Sequence, residues 1–98
     1  MNIHHAPKKK TLRLVIYGQV QGVLFRDSMR REAQNLSITG WVRNRKNGAV
    51  EASVQGDSAA LEAIVRWARR GPERAHVERI EIMPDSGSYT RFEVIEKS

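Results

Sequence analysis

The sequence predicts an α+β sandwich: two helices on one face of an antiparallel sheet, in the order β-α-β-β-α-β with a short closing strand. Three observations predict it. The chain has 98 residues, enough for one domain and too few for two. Its apolar residues alternate with polar ones in short runs, and fall at steps of three and four in two longer stretches. An Asn47-Gly48 pair stands between two of the alternating runs, the pattern of a hairpin.

Residues 1–10 are expected to be a disordered basic arm, and residues 11–98 a single domain. Within the arm, His4 and His5 are adjacent but have no third ligand near them in sequence, so no metal site is expected there. Residues 11–17 form the first strand, with Leu12, Leu14 and Ile16 on one face and Thr11, Arg13, Val15 and Tyr17 on the other. Gly18 and Gly22 bracket a turn. The first helix then starts near Leu24 or Phe25 and runs to Leu36, with Phe25, Met29, Ala33 and Leu36 as its apolar stripe.

Residues 38–45 and 49–55 form the hairpin. Val50, Ala52 and Val54 face one way; Glu51, Ser53 and Gln55 face the other. A strict two-residue Asn47-Gly48 loop pairs Asn44 with Glu51, whereas a longer loop shifts that pairing, and the sequence leaves both open. Asp57 or Ser58 can cap the second helix by accepting from free backbone N–H groups. Leu61, Ile64, Val65 and Ala68 form its buried stripe, and Gly71-Pro72 ends it. Residues 76–83 form a fourth strand, with Val77, Arg79, Glu81 and Met83 alternating against Glu78, Ile80 and Ile82. A loop over 84–88 and a strand over 91–95 complete the chain. Two βαβ-type halves this short give the ferredoxin-like arrangement, which serves many functions and names none of them.

Composition narrows the chemistry. There is no cysteine, which excludes disulfides, thiol nucleophiles, thiolate zinc sites and iron–sulfur clusters. It also fits a reducing compartment, so a cytoplasmic location is expected. No apolar run approaches the roughly 18 residues of a membrane span. Lys and Arg number 17 against 11 Asp and Glu, a formal net charge of +6. Lys8, Lys9 and Lys10 in the arm supply half of that excess. A basic chain favours anionic partners, either nucleic acid or small phosphorylated ligands.

The turn Gly18-Gln19-Val20-Gln21-Gly22-Val23-Leu24-Phe25-Arg26 is the informative segment. The first N–H groups of a helix have no intrahelical acceptor and, with the helix dipole, attract an anion. Glycines let successive N–H groups converge into a nest. The segment lacks the Gly-Lys-Ser/Thr ending of a Walker loop. Arg26 stands in the first turn of the helix, where a cation opposes the dipole. A bound anion removes that conflict, and a guanidinium matches a phosphoryl group with two parallel N–H···O bonds. The alternative is an ion pair of Arg26 with Asp27, Glu51 or another surface acid. Asn44, near the end of the second strand, can orient a water through its amide, or can simply serve the turn that follows it.

These two segments together resemble the acylphosphatase family. GQVQGVLFR is similar to that family's first signature, G-x-V-Q-G-V-x-F-R. GWVRNRKNGAVEASVQG is similar to its second, G-[FYW]-V-[KR]-N-x-x-x-G-x-V followed by a later Gly at Gly56. The resemblance extends over about residues 11–96. It implies a ferredoxin-like sandwich that hydrolyses acyl phosphates to a carboxylate and inorganic phosphate, with no metal and no cofactor. It places the catalytic arginine on Arg26 and the catalytic asparagine on Asn44. The phosphate-binding loop falls on Gln19, Val20, Gln21, Gly22, Val23, Leu24 and Phe25. A related module occurs inside hydrogenase-maturation proteins that are far longer than this chain.

The resemblance further implies a small-molecule acyl phosphate as partner, with inorganic phosphate and sulfate as inhibitors that fill the same N–H cradle. No membrane partner is expected, and the chain is expected to be a monomer. Two rival readings are a nucleic-acid-binding ferredoxin-like module and an inactive, anion-binding family member. Against the first, the six aromatics (Tyr17, Phe25, Trp41, Trp67, Tyr89 and Phe92) form no stacking run on a central strand.

Overall fold

The computed structural model describes residues 8–96. Residues 1–7 of the expected arm lie outside the described residues, and Lys10 already belongs to the first strand. The order is β1 (Lys10–Gln19), α1 (Phe25–Asn35), β2 (Thr39–Asn44), β3 (Val50–Gly56), α2 (Ser58–Arg70), β4 (His76–Asp85) and β5 (Phe92–Val94). The strands make one sheet in the order β4-β1-β3-β2-β5.

Strand alternation puts Leu14 and Ile16 opposite Ala52 and Val50, so both strands send these residues to one face. The apolar stripes Phe25, Met29, Ala33 and Leu61, Ile64, Ala68 pack on that face. Burying each large side chain there contributes about 1.5–3 kcal/mol. α2 starts as expected, with Asp57 accepting from the backbone N–H of Ala60 at 2.8 Å.

The hairpin register, which the sequence leaves open, is settled, and three details depart from the sequence expectation. The hairpin pairs Asn44 with Val50, not Glu51. Its loop is the three residues 46–48, closed by Arg45 N–H to Ala49 O at 2.8 Å. Gly48 alone takes a positive φ, 95°, so this is not the two-residue turn that needs φ > 0 at both central positions. In β4 the register shifts between Tyr17 and Gly18, whose partners are Arg79 and Val77. Glu78 is the extra residue, so Val77 and Ile80 both pack on the core and strict alternation fails. β4 also runs on through Pro84, which an edge strand tolerates because it need not donate on its outer side.

Finally, β5 runs parallel to β2, which makes the sheet mixed. The registers explain it. Asp85, Thr11, Gln55 and Thr39 lie in one row at one end of the sheet. A chain that leaves β4 there and crosses to the far edge enters beside the start of β2, and so runs in its direction.

The face away from the helices is closed by polar side chains. Glu51, only 6% exposed, receives Arg13 Nη1 at 2.7 Å on one oxygen. Its other oxygen receives Arg43 Nε and Nη2 at 2.9 and 2.8 Å. Arg13 Nε also donates to Asp85 at 2.8 Å, and Ser53 Oγ donates to the same carboxylate. The Trp41 ring lies 5.1 Å from both the Arg13 and the Arg43 guanidinium. Burial alone would push the Glu51 carboxyl up, but the hydrogen bonds from Arg43 and Arg13 outweigh it and hold the group below the usual range. Asp85 is likewise held low, with burial opposed by Ser53 and Arg13. Among the described residues no buried side-chain polar atom lacks a partner, and no helix is long and apolar enough to cross a membrane.

Candidate active site

The loop between β1 and α1 is pinned at both ends. Val20 and Phe25 are buried in the core, and Phe25 meets Trp67 edge to face at 5.4 Å. Between them Gln21 turns its amide to the hairpin, donating to the carbonyls of Arg45 and Ala49 at 2.7 and 2.9 Å. Gly22 (φ 73°) and Leu24 (φ 64°) are left-handed. For leucine that conformation costs roughly 1–2 kcal/mol, and Leu24 is also 72% exposed, so packing does not repay it. Held strain of this kind points to function.

The strain sets up the start of α1. Leu24 occupies the N-cap position and no side chain caps it. Ser28 N–H is the residue that reaches back, to Leu24 O at 3.0 Å. The N–H groups of Phe25, Arg26 and Asp27 therefore have no acceptor within the helix. The contrast with the Asp57 cap of α2 is direct: one helix start is closed and the other is left open.

Arg26 is half-buried beside this open start. The acids that could have paired with it are engaged elsewhere. Asp27 holds Arg30 at 2.7 Å and lies 3.9 Å from Arg31, and Glu51 is bound by Arg13 and Arg43 on the opposite face. Arg26 makes no ion pair among the described residues. Asn44 ends β2 on the helix-facing side, in line with Val42 and opposite Val50. The hairpin does not depend on it, since Asn47 Oδ1 accepts from Ala49 N–H at 3.1 Å and serves the turn.

A cavity of about 350 Å³ joins these parts. Val20, Gly22, Leu24 and Phe25 line it with Arg26 and Asn44; Asp27, Arg30 and Val94 complete the wall. Of the other expected loop residues, Gln19 is the exposed last residue of β1, paired with His76. Gln21 faces the hairpin, and Val23 packs against the core. His76 and Glu51 stand outside the cavity. Sequence reasoning missed Arg30 and Val94. The four-residue step from Arg26 signals the first, and nothing local signals the second. A larger groove of about 620 Å³ between α2 and β4 has a mainly apolar wall and shares no residue with the loop. No group of three or more His, Asp or Glu among the described residues is placed to hold a metal ion.

The family model for acylphosphatase matches residues 12–94, nearly the whole domain. The chain belongs to the acylphosphatase family. The acylphosphatase of Thiobacillus denitrificans is 57% identical over 84 residues, covering 86% of this chain and 94% of its own. Among solved structures, an acylphosphatase from Coxiella burnetii matches with a TM-score of 0.85 and 32% identity, over 89% of this chain and 93% of its own. The acylphosphatase from Bacillus subtilis matches at 0.83 and 31%, over 87% and 97%. Membership in the acylphosphatase family makes the chain a hydrolase with this two-helix, five-strand architecture.

Proposed function

We propose that the chain hydrolyses acyl phosphates by direct in-line attack of water, giving a carboxylate and inorganic phosphate. The observation that carries this is the meeting, in one cavity, of an uncapped helix start, an arginine with no ion pair among the described residues and a strand-end asparagine. The N–H groups of the loop and of the first turn of α1 hold the phosphoryl oxygens, and Arg26 grips two of them. Both sets of contacts strengthen as charge spreads over those oxygens in the transition state. The Asn44 amide oxygen accepts from the attacking water and sets it in line with the departing carboxylate. The bond from water oxygen to phosphorus forms as the phosphorus–oxygen bond to the acyl group breaks. The water's proton passes to a phosphate oxygen, since the cavity presents no free carboxylate: Asp27 is bonded to Arg30.

The reading includes a metal-independent monomer working in the cytoplasm. Hydrolysis of benzoyl phosphate, followed by loss of its absorbance with and without EDTA, tests the core of it. Turnover is expected in both. Inorganic phosphate and sulfate are expected to compete with substrate and to raise the melting temperature by mass action. No turnover, or turnover abolished by EDTA and restored by a divalent ion, would overturn the mechanism.

A further inference from the structure

Arg30 stands on α1 four residues beyond Arg26, in the wall of the same cavity. That step places the two side chains on one helix face, with about 6 Å of axial rise between them. Nη2 of Arg30 donates to Asp27 Oδ1 at 2.7 Å, which ties the guanidinium to the first turn of α1. A guanidinium has five N–H donors, and Arg30 makes no other hydrogen bond among the described residues. Asp27 does not cancel the local charge, because Arg31 approaches it too. Arg26, Asp27, Arg30 and Arg31 together carry +2. The volume, about 350 Å³, exceeds what a phosphoryl group needs and falls in the range of small-ligand sites. Val94 offers an apolar surface in the same wall.

We infer that Arg30 is a specificity-determining residue, and that the preferred substrate is a dicarboxylic acyl phosphate. Its phosphoryl group sits on the loop and Arg26, while its second carboxylate, a short methylene chain away, docks on the free N–H groups of Arg30. With a two-methylene spacer the extended substrate spans about 6 Å from phosphorus to the far carboxylate carbon, which matches the four-residue rise from Arg26 to Arg30. The planar fork of Arg30 suits a carboxylate, and the methylenes lie along Val94. This inference rests on the hydrolase reading above and adds the acyl end of the substrate to it.

The test compares succinyl phosphate with butanoyl phosphate, which share a four-carbon chain and differ in the terminal carboxylate. The ratio of their kcat/KM values is the readout. A charge-assisted contact should give the parent chain a preference for succinyl phosphate of about tenfold or more. Arg30→Gln should bring the ratio close to one, Arg30→Lys should keep part of it, and Arg30→Glu should invert it. Arg30→Gln also frees the Asp27 carboxylate in the same wall, which would repel succinyl phosphate selectively. The double variant Asp27→Asn/Arg30→Gln is therefore measured too: a ratio that stays near one supports the Arg30 contact, and a ratio that recovers overturns it. Arg30 is a partly exposed helix residue, so the variants are expected to fold. A parent ratio near one, or a ratio that Arg30→Gln leaves intact, overturns the proposal. A parent chain that hydrolyses neither compound overturns the hydrolase reading and this proposal with it, a result distinct from equal turnover of both.

Discussion

Replacing Arg26 with lysine separates the chemistry of the site from the stability of the fold. Arg26 makes no ion pair among the described residues, because Asp27 is engaged by Arg30 and Arg31, and Glu51 by Arg13 and Arg43. Lysine keeps the charge and has nearly the same helix propensity. The stability change should therefore stay within about 0.5 kcal/mol, a shift of roughly 2–4 °C for a domain of this size. The rate should behave differently. Lysine presents a point charge instead of a planar fork, so one oriented contact to the phosphoryl group is lost where it matters most. Losing a donor that tightens in the transition state costs about 2.7–4 kcal/mol, or some 10²–10³ in kcat. Benzoyl phosphate hydrolysis and thermal unfolding on one preparation give both numbers. Near-normal turnover in a folded Arg26→Lys chain would refute the phosphate-clamp role. A large drop in melting temperature with normal turnover per folded molecule would instead make Arg26 a structural residue.

Asn44→Ala should lower kcat by about 10²-fold while leaving the phosphate inhibition constant almost unchanged, because it removes the group that positions water and leaves the cradle intact; normal turnover in a destabilised protein would refute this. Gln21→Ala removes two neutral hydrogen bonds between the loop and the hairpin. It should cost about 1–3 kcal/mol in denaturant unfolding and lower kcat as well, since the loop and Asn44 lose their common tie. Stability should also fall in acid. Glu51 and Asp85 have folded pKa values below their ordinary ones, so their contribution is complete above their unfolded values of about 4 and is lost as pH falls through the lower, folded values. A Glu51→Gln melting temperature no lower than the parent's at neutral pH, or a loss of stability below about pH 4 as steep in Glu51→Gln as in the parent, would remove Glu51 from that account.

Local patterns determined a large part of this protein. Alternation in residues 11–17 and the stripes Phe25-Met29-Ala33 and Leu61-Ile64-Ala68 are short-range signals, and each placed its element within a residue or two. So did the Asp57 cap, which depends on a residue three positions away. Arg26 and Asn44 were singled out because they stand inside two continuous motifs, and the structure brings both to one cavity. Tertiary structure decided what depends on distant segments meeting. The hairpin register followed from which loop residue took the positive φ, and the strand β5 ran parallel because the chain crosses the sheet at the end where β4 stops. The bulge at Glu78 turned Val77 and Ile80 to one face against the sequence alternation. The freedom of Arg26 is of the same kind. The sequence shows Asp27 beside it and Glu51 in a neighbouring strand, and only the packed chain commits Asp27 to Arg30 and turns Glu51 toward Arg13 and Arg43 on the far side of the sheet. The left-handed Leu24 carried no sequence signal, because leucine rarely adopts that conformation. Contacts on both sides hold it there: Val20 and Phe25 in the core, and Gln21 on a hairpin more than twenty residues away.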